Sequence, residues 1–270
     1  MDFQINNILV GFDNSKSAKI ALEKAADTAK RFDAKLHALY VFQEGKADPT
    51  EIQQAVLEVG NRLDIDIEFV MRTGKVYNEI SISERELGAD MVIIGTHGSN
   101  GWQPFWIGSN AFRVASAANC PVITILETTK SEALTDILLP LDNEETTRQK
   151  VPYAAMMAKA YGATVHIYSV TKGTDKTVQS KLNAYGRQTE KYLHERGIQT
   201  TYKTQFGGEV PNNILEYSKE IRAGLVMIMA DTESKSFIMG SYAQDIVNNS
   251  KAPVMVMHSR DLALTGAVGY

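Results

Sequence analysis

The chain has 270 residues, 44% hydrophobic and 22% charged, enough to bury the core of one large or two ordinary domains. A formal net charge of −4 and a pI near 5.8 offer no basic stripe of the kind that binds DNA or RNA. Its single cysteine, Cys120, excludes an intrachain disulfide and fits a reducing compartment, and no apolar run approaches the ~20 residues that span a bilayer.

The opening residues, Met1 to Asn7, show no basic or long apolar leader segment, so a cytoplasmic protein is expected. In chain order, strands are predicted over residues 7–10, 35–41, 66–71, 91–94 and 122–126. Helices are predicted between them. The first begins near Ser15 or Ser17, where Ile20, Leu22, Ala25, Ala26 and Ala29 make an apolar stripe; the others cover 50–63, 76–87 and 109–118. Short apolar runs alternating with helical periods predict an α/β unit with a parallel sheet.

The pattern then repeats. Ile8-Leu9-Val10-Gly11-Phe12-Asp13-Asn14 returns as Ile137-Leu138-Leu139-Pro140-Leu141-Asp142-Asn143, and His37 returns at the same offset as His166. Gly74 matches Gly208, Gly108-Ser109 matches Gly240-Ser241, and residues 121–125 match 253–257. Strands of the second unit are expected at 136–139, 164–170, 199–205, 225–229 and 254–257, with a long polar helix over 178–196. The domains are therefore 1–130 and 135–260, followed by a tail at 261–270. Two copies of this length mean tandem domains, since a solenoid uses much shorter repeats.

Chemistry is concentrated after the fourth strand of the first domain, where Gly95, Gly98 and Gly108-Ser109 make G-x2-G-x9-G-S. In a doubly wound sheet the ligand crevice lies beyond the carboxyl ends of the strands, where strand order reverses. If strands one and four are neighbours there, Asp13 and the glycines line one crevice. Gly95 and Gly98 can take positive φ and leave room for close backbone approach, while amides around Gly108 and Ser109 open a helix whose positive end suits phosphate. The side chains of Ser109 and Asn110 add polar contacts or a cap. The plain alternative is a strand-to-helix loop that needs tight turns.

The segment 94–101, Ile94-Gly95-Thr96-His97-Gly98-Ser99-Asn100-Gly101, followed by Ile107-Gly108-Ser109-Asn110 and Asn119-Cys120-Pro121-Val122, resembles the ATP-binding branch of the universal stress protein A family. The resemblance covers nearly the whole chain, twice. It implies two tandem doubly wound, five-stranded, Rossmann-like domains of the adenine nucleotide alpha hydrolase type, with strand order 3-2-1-4-5. It also implies an adenosine nucleotide, ATP with or without Mg2+, whose adenine packs by Val41 and the backbone of Gly11 and Phe12. Asp13 would face the adenosine moiety, and Gly95, Gly98, Gly108, Ser109 and Asn110 would hold the phosphates. His97 has two readings, a phosphate contact or a loop histidine facing solvent.

The second domain departs from the pattern. Ala230 replaces Gly95, Glu233 replaces Gly98, and the stretch to Gly240 is three residues shorter. A carboxylate there repels phosphate, so one nucleotide per chain, in the first domain, is expected. No Walker lysine, catalytic triad or zinc spacing appears, which favours a nucleotide-binding regulator of the stress response with at most slow hydrolysis. Trp102, Phe105 and Trp106 lie inside the nine-residue linker, either as a lid on the phosphates or as a protein contact. The rival class is a nucleotide-free interaction module for a protein or lipid-like ligand. The resemblance further suggests pairing of the two domains through their fifth strands, and a homodimer stays open.

Overall fold

The computed structural model describes residues 4–45, 47–96, 109–129, 133–230 and 240–259. The chain divides into two compact units, 1–129 and 130–270.

In the first unit, β1 (Asn7–Gly11), β2 (Lys35–Phe42), β3 (Ile67–Thr73), β4 (Met91–Thr96) and β5 (Val122–Leu126) alternate with α1 (Lys16–Phe32), α2 (Pro49–Leu63), α3 (Val76–Glu86) and α4 (Ser109–Ala117). All pairings are parallel and the order is β3-β2-β1-β4-β5, as expected. Central strands read as unbroken apolar runs because both faces are covered: Ile8, Leu9, Val10, Met91, Val92 and Ile93 are fully buried. β3, at the margin, alternates between half-buried and exposed positions.

Helix α1 forms because Ser15 caps it, its side chain accepting the Ala18 amide at 3.3 Å, and because Ala18, Ala21, Ala25, Ala26 and Ala29 recur on one face. Small side chains let that face lie close on the sheet. It ends at Asp33, whose left-handed backbone returns an amide to the Ala29 carbonyl.

The second unit contains β6 (Asp136–Leu141), a 3-10 helix (Glu145–Lys150), α5 (Val151–Tyr161), β7 (Thr164–Thr171), α6 (Lys176–His194), β8 (Thr200–Phe206), α7 (Val210–Glu220), β9 (Leu225–Met229), α8 (Ser241–Asn249) and β10 (Val254–Met257). Its strands follow the same parallel order, β8-β7-β6-β9-β10. Helix α6 starts two residues earlier than its apolar period suggests, because Asp175 caps it by accepting the amides of Thr177 and Val178. The first crossover differs from its counterpart α1: it runs as a 3-10 helix and restarts as α5. Pro152 explains the restart, since inside one continuous helix it would lack its amide and its ring would collide with the carbonyl four residues before it.

Candidate functional site

Strands β1 and β4 are neighbours, with Gly11 opposite Ile94, while β2 lies on the other side of β1. Crossovers leave that boundary in opposite directions, so a crevice opens beyond Gly11 and Thr96. The condition set by the sequence is met: Asp13 and Gly95 belong to one region despite their separation along the chain.

From β1 the backbone continues the ladder for one more step, Phe12 N–H donating to the Leu39 carbonyl at 2.9 Å, and Phe12 is buried. Asp13 follows, exposed, with Oδ1 accepting the Ser15 amide at 3.0 Å. This Asx turn joins directly to the Ser15 cap of α1. The residue inside the turn, Asn14, has φ of 63°, and its Oδ1 is buried with no hydrogen-bond partner. Val41 is half-buried near the end of β2, opposite Arg72 of β3. Beside it Tyr40 is buried and donates its hydroxyl to the Ala47 carbonyl at 2.7 Å, pinning the chain that leads to α2. Burial, and then the carboxylates of Asp13 and Asp48, push the Tyr40 phenol above its ordinary pKa, so it remains a neutral donor.

Gly95 has a role other than the expected one. It remains extended within β4 and does not take positive φ. A Cβ built there would lie 2.5 Å from the Ser17 carbonyl carbon and 2.6 Å from the Ala18 nitrogen. The room it leaves is therefore filled by the backbone of α1, and glycine is required so that the helix carrying Ser15 can dock on the end of β4. Thr96 comes next. It is 2% exposed and its Oγ1 has no hydrogen-bond partner.

Ser109 and Asn110 form the first turn of α4, so their amides belong to the helix end that favours anions. The opposite end of α4 is fixed by Glu84 of α3, whose Oε1 accepts the Asn119 amide at 2.7 Å and the Cys120 amide at 3.2 Å. His97, Gly98 and Gly108, along with Trp102, Phe105 and Trp106, lie outside the described residues.

The second unit fills the corresponding region with its own groups. Asp142 Oδ1 accepts the Glu144 amide at 2.9 Å, as Asp13 accepts that of Ser15. The Asp142 amide, however, donates to Thr147 Oγ1 at 3.2 Å, and the same oxygen accepts Lys150 Nζ at 2.9 Å. Ala230 stands in the place of Gly95, and its carbonyl accepts the amide of Gly240, at the head of α8, at 2.8 Å. Glu233 lies outside the described residues.

Sequence reasoning missed Asn14, Tyr40 and Thr96. An Asn inside a D-N-S turn after a strand was the available signal for the first. His166, paired by position with His37, is held by Asp136 Oδ1 at 2.8 Å and Thr201 Oγ1 at 2.9 Å, a packing role far from metal ligation. Among the described residues no three His, Cys, Asp or Glu side chains gather as a metal site, and no helix is long and apolar enough to cross a membrane.

Comparison with known proteins gives the same architecture. The model of the universal stress protein family matches residues 4–125 and again 134–258. A universal stress protein of Methanocaldococcus jannaschii is 29% identical over 136 residues, covering 44% of this chain and 80% of its own. The crystal structure of a universal stress protein from Archaeoglobus fulgidus covers 95% of this chain and 100% of its own, with a TM-score of 0.78 and 20% identity. Another structure from Archaeoglobus fulgidus, in complex with dAMP, covers 46% of this chain and 98% of its own at a TM-score of 0.39 and 18% identity.

Proposed function

Since the chain belongs to the universal stress protein family, we propose that its first domain, residues 1–130, binds ATP and that the second, residues 135–260, does not. Occupancy of one site per chain would then report nucleotide state to a partner in a cytoplasmic stress response. The observation that carries this reading is the crevice between β1 and β4, where the buried Thr96 hydroxyl meets no partner and the first turn of α4 offers its amides. A buried polar group left unpaired costs roughly 1–3 kcal/mol, and a polar ligand removes that cost.

Within the site, Val41 and the backbone at Gly11 and Phe12 would take the adenine, and Asp13 the adenosine moiety. Gly98, Gly108, Ser109 and Asn110, with His97 beside them, would hold the phosphates. Any Mg2+ would enter with the phosphates. Its own hydrogen bonds count against the second domain as a site: the Gly240 amide at the head of α8 is given to the Ala230 carbonyl, and Thr147 Oγ1 is engaged by Lys150 and the Asp142 amide. Among the described residues none at the crevice is placed to activate water, and turnover is expected to be slow at most.

Native mass spectrometry of the mildly purified chain tests this directly. One adenine nucleotide per chain in the parent, lost in Gly98→Glu, supports the reading. No nucleotide retained, and none bound on titration with ATP, overturns it and favours an interaction module.

A further inference from the structure

The outermost strands of the two domains, β3 and β8, each have one side that no strand of their own unit covers. In the first domain the free groups can be assigned. Lys35 donates its amide to the Asn6 carbonyl at 2.8 Å and the Leu39 carbonyl accepts the Phe12 amide at 2.9 Å, so odd-numbered residues of β2 face β1 and even-numbered ones face β3. With Leu36 opposite Ile67, the backbone groups of Glu68, Val70 and Arg72 then bond to β2. Those of Ile67, Phe69, Met71 and Thr73 point outward, a row of donors and acceptors open to another strand.

Side chains sort by face. A Cβ built at Gly60 of α2 would lie 3.7 Å from the Ile67 side chain, so Ile67, and with it Phe69 and Met71, faces α2. Glu68, Val70 and Arg72 lie on the other side, where Arg72 pairs with Glu86 of α3 and Glu68 Oε2 is 3.0 Å from His37 Nδ1. Among the described residues the exposed large apolar side chains are Leu57, Met71 and Tyr242. The first two flank this edge: Met71 is on β3 itself, and Leu57 of α2 shares with Ile67 the lining of a cavity of about 340 Å³.

The strand is complementary to its own reverse. Antiparallel pairing about Val70 sets Phe69 opposite Met71 as a hydrogen-bonded pair that uses the outward backbone groups, and sets Glu68 opposite Arg72 as a closer, non-hydrogen-bonded pair. Each charge meets its opposite, twice by symmetry. Moving the axis to Phe69 or Met71 sets Val70 against Glu68 or Arg72 and loses both of those ion pairs. The second domain lacks this property. Val165 lies opposite Thr200 as Leu36 lies opposite Ile67, so Thr201, Lys203 and Gln205 stand where Glu68, Val70 and Arg72 do. On such an axis Lys203 would face another Lys203, and a lysine in that place guards an edge against pairing.

We infer that β3 is a docking surface for a second copy of this chain: two β3 strands pair antiparallel about Val70, with Glu68 of each copy against the partner's Arg72. Main-chain bonds supply the attraction and the charges set the register. A two-fold axis normal to the sheet keeps α2 of both copies on one side, so Leu57 and Met71 of each lie beside the joint. A joint of one strand and its flanking helix is small for a specific interface, and a Kd of about 1–100 µM is expected.

Sedimentation velocity of the full chain from about 1 to 200 µM reads this association. Glu68→Arg and Arg72→Glu each set like charges across both joints and should weaken the dimer at least about tenfold. Mixed in equal amounts, the two variants should recover it, because each Arg then faces a Glu. Met71→Lys, a change at an exposed side chain, should weaken it as well, and decides alone if circular dichroism shows that a charge variant has not folded. A parent that stays monomeric throughout, a dimer that persists in the folded variants, or two folded charge variants that stay apart when mixed overturns the proposal.

Discussion

Lys150 donates its ammonium to Thr147 Oγ1 at 2.9 Å in the interior of the second domain, where the lysine is only 3% exposed. Burial drives its pKa down to about 8, partly offset by the Asp142 carboxylate, so at neutral pH the fold carries a charge it would be more stable without. Below pH 8 folded and unfolded chains are both protonated and the whole penalty is present. Between 8 and 10.5 the unfolded chain keeps a proton that the folded chain has released, so stability rises with pH. Lys150→Met is predicted to stabilise the protein at pH 7 by about 2–3 kcal/mol, with the gain shrinking toward pH 10. Urea midpoints of parent and variant at pH 7 and pH 9.5 check this; an equal difference at both would contradict it.

The contact between Gly95 and Ser17 makes a second prediction. Gly95→Ala forces a Cβ against main-chain atoms of α1, which have no side-chain freedom with which to yield. Overpacking of this kind costs about 1–3 kcal/mol. Displacing α1 also carries Ser15 and the Asp13 turn with it, so ATP affinity should drop alongside the thermal midpoint. A variant that melts like the parent, with ATP binding intact, would show that α1 shifts without consequence.

Glu84 separates charge from hydrogen bonding. Burial raises its carboxyl pKa, and the two amides it accepts act in the opposite direction, while Oε2 is buried without a partner. A raised folded pKa means the charged form is disfavoured in the fold: this contribution is fully favourable below the unfolded value near 4.5 and is lost as pH rises through the folded one. Glu84→Gln, which keeps an acceptor for Asn119 and Cys120, should be neutral or stabilising at pH 7. Glu84→Ala leaves both amides unpaired and should cost about 1–3 kcal/mol. Chemical denaturation of the two variants distinguishes them.

Ligand linkage supplies the fourth. ATP at about a hundred times its Kd adds about 2.7 kcal/mol to the domain that binds it. Differential scanning fluorimetry should show one transition moving upward by several degrees and a second unmoved. Gly98→Glu should abolish the shift. Two shifting transitions would contradict the assignment of ATP to the first domain alone.

The sequence made the sheet legible because β1 and β4 are covered on both faces, so their residues form unbroken apolar runs. Helix α1 was legible from its spaced alanines and Ser15. The packing role of Gly95 was not, because its partner Ser17 is distant in the chain and no local period encodes a contact between a strand end and another helix's backbone. Lys150 was also hidden: lysine reads as a surface residue, and its repeat counterpart is the fully buried Ala21. Asn14 was passed over because a turn motif reveals a bend but not the side of it on which an oxygen is trapped.

The bond from Gly240 to Ala230 places the second domain in a different light. An anion that sought the Gly240 amide would compete with an acceptor that is covalently tethered and always at hand. Restoring a glycine at 230 would leave that carbonyl in place. Freeing the Gly240 amide calls for moving main-chain atoms, which a change of side chain at 230 does not do.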